Sequence, residues 1–193
     1  MVIAGFVIVH LANHLLSLSS IAAHVAFMKV ARTVYRHPAI EFVLLGSVIF
    51  QCGSGLWMVV RGWSARQGAV AWLQATSGVY LALFLLIHVS AILLGRIALQ
   101  LDTNFYFAAA GFHVPPFQLF FIPYYFLAVV ALCTHAGCAC YWSLNARTPR
   151  LRRVALSVMV GAGCIAGVAI TLSLGGRFQP VTVPATYLAA FRR

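Results

Sequence analysis

The sequence predicts an all-α membrane protein, a single domain over residues 1–193 folded as a bundle of five transmembrane helices. Three observations carry that expectation. The first is composition: the chain is 63% hydrophobic and 8% charged, whereas an ordinary soluble domain carries roughly 25% charged residues. Two acids cannot help build a water-facing shell around so much apolar surface, so lipid is the natural solvent. The second is pattern. Apolar runs recur at about 1–28, 38–61, 69–99, 118–144 and 154–174, and crossing a bilayer takes roughly 20 such residues. The third is where the charge sits. The formal net charge is +11, but the basic residues stand between the apolar runs, where they meet lipid headgroups or an acidic partner surface. This is not a nucleic-acid footprint.

The first run opens at Met1 with no basic leader and no small-residue cleavage pattern, which reads as a retained span and not a signal peptide. Its abrupt start leaves room for a few natural residues upstream. It is expected to continue as helix towards Arg36, with Lys29, Arg32 and Arg36 as a basic exit. His37-Pro38 then starts the second run, proline being suited to the first turn of a helix. Glu41 lies near its mouth, Gln51 about 15 Å deeper by helical rise, and Gly55 one turn further leaves space for a bulky group. In the third run Ser77, Leu81, Phe84, His88, Ala91 and Gly95 share a face, with Arg96 at the far interface.

The connection from Asp102 to Phe117 is rich in aromatic residues, as suits a segment lying in the membrane interface. In the fourth run Tyr124, Ala128, Ala131, His135 and Trp142 align. The fifth has no histidine and no formal charge, and its Gly163–Gly167 spacing permits close helix contact. The five cysteines, Cys52, Cys133, Cys138, Cys140 and Cys164, lie inside the runs and read as small packing hydrophobes. Arg61, Arg66, Arg147, Arg150, Arg152 and Arg153 gather on one side of the bundle. Lys29, Arg32, Arg36, Arg96, Arg177, Arg192 and Arg193 gather on the other. That balance sets no orientation.

Histidines at membrane depth carry the chemistry. On one helix His10, Asn13, His14, Ser17 and His24 fall in a single stripe, while His88 and His135 lie deep in two other runs. An ionisable side chain in lipid is costly and needs a partner in the protein interior. Two neutral imidazoles on facing helices can hold a haem iron from both sides, so His10 (or His14) is expected to meet His88. Helical rise puts His10 about 14 Å from Met1 and His88 about 12 Å from Arg96, a loose agreement in depth. The plainer alternative is that each histidine hydrogen-bonds a neighbouring carbonyl or hydroxyl. For His24, near the basic exit, contact with a quinone competes with simple solvation. Glu41 reads either as an interfacial carboxylate paired with Arg36 or Arg96, or as a proton-transfer group beside a quinone.

These residues resemble the membrane-anchor cytochrome b of the succinate dehydrogenase and fumarate reductase family, in its single-chain, five-helix form. The resemblance covers nearly all of the chain in span order. It rests on His10-Leu11-Ala12-Asn13-His14, on Glu41-Phe42-Val43-Leu44-Leu45 through Gln51 to Gly55-Leu56-Trp57, on Leu86-Ile87-His88-Val89, and on His135. It implies that His10 and His88 bind the haem farther from the soluble subunits. His135 matches one ligand of a second haem whose other ligand position holds Gln51. Glutamine is a poor haem ligand, so one haem b is implied rather than two, with His135 a vestige or the ligand of a five-coordinate haem. Glu41 matches a carboxylate the family places by its quinone site.

The resemblance further implies a bacterial cytoplasmic (inner) membrane and a cytoplasmic N-terminus. Flavoprotein and iron–sulfur subunits would dock against Arg61, Arg66 and Arg147–Arg153, in complexes that can associate as homo-oligomers. The expected role is electron transfer between a docked iron–sulfur subunit and membrane quinone. This chain alone would not oxidise succinate, having no flavin-binding or iron–sulfur cysteine pattern. Two alternatives stand beside it: a haem-free anchor or assembly subunit of the same fold, and a small transporter using the His10–His24 stripe as a polar path. No pair of broken helices or internal repeat recommends the transporter.

Overall fold

A computed structural model describes residues 2–191; Met1, where the first run begins, and Arg192 and Arg193 of the basic tail lie outside the described residues. The elements are α1 (Val2–Leu16), α2 (Ile21–Tyr35), α3 (Pro38–Arg61), α4 (Ala69–Ile97), α5 (Phe105–Ala110), α6 (Gln118–Ser143), α7 (Pro149–Leu174) and α8 (Ala185–Leu188), closed by a 3-10 turn over Ala189–Phe191. No strand occurs among the described residues. The helices α3, α4, α6 and α7 are each long and apolar enough to cross a membrane, the build of a multi-pass membrane protein.

These four helices alternate in direction, so each end of the bundle collects particular elements. The Glu41 carboxylate near the start of α3 is ion-paired with Arg96 near the end of α4. His113, before α6, lies 2.9 Å from the carbonyl of Leu174 at the end of α7. At the opposite end Trp142 of α6 donates to Gln74 of α4 at 2.8 Å. The described basic residues separate as their spacing in the sequence anticipates, and the second end holds Arg61, Arg66, Arg147, Arg150, Arg152 and Arg153. We call it the arginine end.

The first apolar run departs from expectation. It is two helices of 15 residues each, about 22 Å long by helical rise and therefore shorter than the roughly 30 Å hydrocarbon core. They pack antiparallel: the rings of Phe6 and Tyr35 are 5.3 Å apart, and His24 Nδ1 is 2.7 Å from the carbonyl of Asn13. The cause is Ser17-Leu18-Ser19-Ser20. Ser17 Oγ donates to the His14 carbonyl at 2.6 Å and Ser19 Oγ to the Leu16 carbonyl at 3.0 Å, which satisfies the last turn of α1. Ser20, with extended backbone (φ −161°, ψ 129°), then caps α2 by accepting from the Ala23 N–H. Short hydroxyl side chains offer the backbone this alternative to a continuous helix. Four described helices, not five, are long enough to span.

The hairpin is fastened to one end of the bundle twice over, and we call this the hairpin end. At its turn Ser17 Oγ lies 2.8 Å from Ser173 Oγ, and Gln179 Nε2 donates to the Ser17 carbonyl at 2.5 Å. At its open end Arg32 pairs with Asp102 at 2.5 Å and Arg36 donates to Thr103 at 2.9 Å. Beneath it lies the main core: Phe105, Ala109, Phe112, Val129, Ile170 and Leu174, with Leu11, Ile21 and Val25 of the hairpin packed onto it. The aromatic connection supplies part of this core, and Phe105 is fully buried.

The small-residue motif of α7 does bring α6 close, as its spacing predicts. A Cβ added at Gly163 would stand 2.6 Å from Cys133 Cβ, and one at Gly167 would stand 3.0 Å from the Phe126 ring. By contrast α3 buries none of its residues and is the most peripheral of the long helices.

Candidate functional site

The hairpin and α4 together build a row of imidazoles. The His88 and His10 ring centroids are 6.1 Å apart, those of His10 and His14 4.7 Å, and those of His14 and His24 5.4 Å. His24 in turn meets Phe105 at 5.4 Å. On a single straight helix His14 and His24 would be about 15 Å apart. The serine-built turn is what folds the second half of the stripe back beside the first.

Each of the two facing imidazoles is backed by a phenylalanine one turn away on its own helix. Phe84 stacks on His88 with centroids 5.0 Å apart and planes 15° apart, and Phe6 stacks on His10 at 5.5 Å and 16°. Tyr125 of α6 adds an edge contact to His88. The Phe-x-x-x-His spacing occurs in both runs of the sequence and is the signal that could have paired these helices.

Hydrogen bonding divides the histidines into two sets. His24 Nδ1 is satisfied by the Asn13 carbonyl, His113 Nε2 by the Leu174 carbonyl, and His135 Nδ1 by the Gln74 carbonyl at 3.1 Å, with Ser77 Oγ at 3.3 Å. The His135 ring also lies against Gly78, where an added Cβ would meet its Cε1 at 3.1 Å. These are the carbonyl and hydroxyl contacts of the plainer alternative. The rings of His10, His14 and His88 make no hydrogen bond to a described residue, and His14 Nδ1 is a buried atom without a partner. A buried polar group left without a partner is costly, so this second set is the one whose chemistry the protein fold leaves unspent.

Spacing fits a shared metal at the first pair. With each ligating nitrogen about 2 Å from a metal, two opposed imidazoles have centroids roughly 6 Å apart. Backbone separation agrees, since no Cα of α1 comes within 8 Å of a Cα of α4. Among the described residues no group of three or more histidine, cysteine or acidic side chains converges as a metal cage. Two imidazoles could supply two ligands to a metal.

The other expected site residues fall elsewhere. Gln51 is exposed on α3, and no Cα of α3 lies within 8 Å of a Cα of α6, so Gln51 and His135 are not brought together. Glu41 is bound by both Nη atoms of Arg96 and ties α3 to α4, each side chain about one quarter exposed. Comparison with protein-family models, curated proteins and solved structures returns no match.

Proposed function

We propose that this chain is a membrane-anchor, cytochrome b-like subunit of a succinate:quinone oxidoreductase or fumarate reductase type complex. In this reading His10 and His88 would hold one haem b, and quinone and a docked iron–sulfur subunit with its flavoprotein are the partners. The observation that carries it is the 6.1 Å approach of two imidazoles from separate helices, neither engaged by a protein hydrogen bond. A haem b held there supplies single-electron transfer at its iron.

The chain's own residues orient and enclose. Phe6 and Phe84 fix the planes of His10 and His88, and the hairpin carries His10 against α4. His14, 4.7 Å from His10, is the alternative ligand on α1. His24 holds the hairpin shut through Asn13, and His135 locks α6 to α4. Glu41 is the carboxylate for a quinone headgroup at the hairpin end, held in place by Arg96. By helical rise His88 lies about 14 Å from Ile97 and about 28 Å from Ala69. A haem held there would lie nearer the hairpin end than the arginine end.

One observation favours a haem-free anchor of the same fold. His10 and His88 already pack against Phe6 and Phe84 as core aromatics do. An absorption spectrum of the purified, haem-replete protein separates the two readings. A reduced b-type band that is lost in His88→Ala and in His10→Ala supports the first, and the absence of any band supports the second.

A further inference from the structure

We propose that Arg150 and Arg153, on the first turns of α7, bind the phosphate of an anionic glycerophospholipid whose acyl chain lies along the exposed face of that helix. The charge distribution is the starting point. The chain's two acids, Glu41 and Asp102, both stand at the hairpin end, where Arg96 and Arg32 engage them. No described carboxylate faces the six arginines of the other end.

Three of those six have partners within the fold. The Arg61 guanidinium lies over Trp57 at 5.8 Å, that of Arg66 over Trp72 at 5.4 Å, and that of Arg152 over Tyr141 at 4.1 Å. Arg147, Arg150 and Arg153 have neither an aromatic nor an acidic partner among the described residues, and of these Arg150 and Arg153 stand one turn apart on α7. The one side-chain hydrogen bond of the pair is local, from Arg153 Nε to the Pro149 carbonyl at 3.3 Å.

The two arginines lie with Ser157, Val154 and Val158 along one open face of α7. Residues three and four apart on a helix share a face, and this face continues towards the membrane as an apolar track. Gly161 has open space where a side chain would stand, and Ile165 beyond it is 74% exposed. Paired guanidinium forks match phosphate oxygens. An apolar track leading from them suits an acyl chain, which a soluble phosphate lacks. A zwitterionic headgroup brings its own cation and gains less from two uncompensated arginines.

The test uses full-length protein, purified and delipidated, in native mass spectrometry with phosphatidylglycerol or phosphatidylcholine of matched acyl chains. Inorganic phosphate serves as soluble competitor. Both arginines are exposed, so the double variant Arg150→Gln/Arg153→Gln is expected to fold. It should lose phosphatidylglycerol binding roughly thirtyfold, from two charges each contributing at the membrane surface. Arg61→Gln/Arg66→Gln, which removes the same charge from the same end, should lose less than threefold. Phosphatidylcholine should bind weakly to all forms, and phosphate should not displace lipid. Equal losses in the two double variants would mean diffuse surface charge and overturn the proposal. Displacement by phosphate, or equal binding of the two lipids, would overturn it too. Unchanged lipid binding in Arg150→Gln/Arg153→Gln would also refute it and leave the pair to an acidic protein surface.

Discussion

Replacing Gln179 by alanine tests whether the hairpin, and with it the imidazole row, is held by its turn. Gln179 Oε1 accepts from the Ile21 N–H at 3.3 Å, and its Nε2 donates to the Ser17 carbonyl at 2.5 Å. Truncation removes both bonds at once. The Ser17 carbonyl keeps a donor in Ser173 Oγ at 3.2 Å, whereas the Ile21 N–H, in the first turn of α2, loses its side-chain acceptor. At about 1 kcal/mol net per hydrogen bond the cost is about 2 kcal/mol. That is a rise of about thirtyfold in the population of the locally opened hairpin. Amide hydrogen exchange of residues 17–25, with the protein in lipid nanodiscs, reads that population directly. The α6–α7 interface serves as an internal control and should not change. Exchange in 17–25 that rises less than threefold would refute the claim that this tie holds the hairpin.

Two further substitutions probe the packing around the site. Gly163→Ala places a Cβ 2.6 Å from Cys133 Cβ and should destabilise the α6–α7 pair by about 1–3 kcal/mol. Gly161→Ala meets nothing within 4 Å and should be neutral or slightly stabilising, with thermal unfolding in detergent as the comparison. His135→Ala removes contacts to Gln74 and Ser77 and should cost about 1–2 kcal/mol in the same assay. It should leave any haem spectrum intact; loss of that spectrum would return His135 to the ligand set.

Much of this architecture is legible in residue order. The second to fifth apolar runs match α3, α4, α6 and α7 within a few residues, because a long apolar run has no good alternative to a helix in lipid. The Gly163–Gly167 spacing correctly marks a close helix contact. Glu41 pairs with Arg96, one of the two partners its position allowed.

The hairpin was the chief miss. Periodicity alone carries the His10–His24 stripe straight through Ser17-Leu18-Ser19-Ser20, since three- and four-residue steps continue across it. The break depends on what the hydroxyls bond: Ser17 and Ser19 turn back onto α1, and Ser17 is further held by Ser173 and Gln179 from the far end of the chain. No local pattern announces a partner more than 150 positions away. The burial of Phe105 follows from the same fact, because the folded-back hairpin creates the surface that covers it. Which histidines are satisfied within the fold was equally invisible. His88 and His135 look alike as lone histidines in apolar runs, and only the neighbouring carbonyl of Gln74 separates them.

The central claim is that His10 and His88, whose ring planes stand 69° apart, would together hold one haem iron. Electron paramagnetic resonance of the oxidised, haem-replete protein tests it most directly. Two imidazole ligands at that mutual angle should give a strongly anisotropic low-spin ferric signal, replaced by a high-spin signal or lost altogether in His88→Ala and retained in His135→Ala. A wild-type protein that shows only high-spin iron, or a low-spin signal indifferent to His88→Ala, would contradict the assignment.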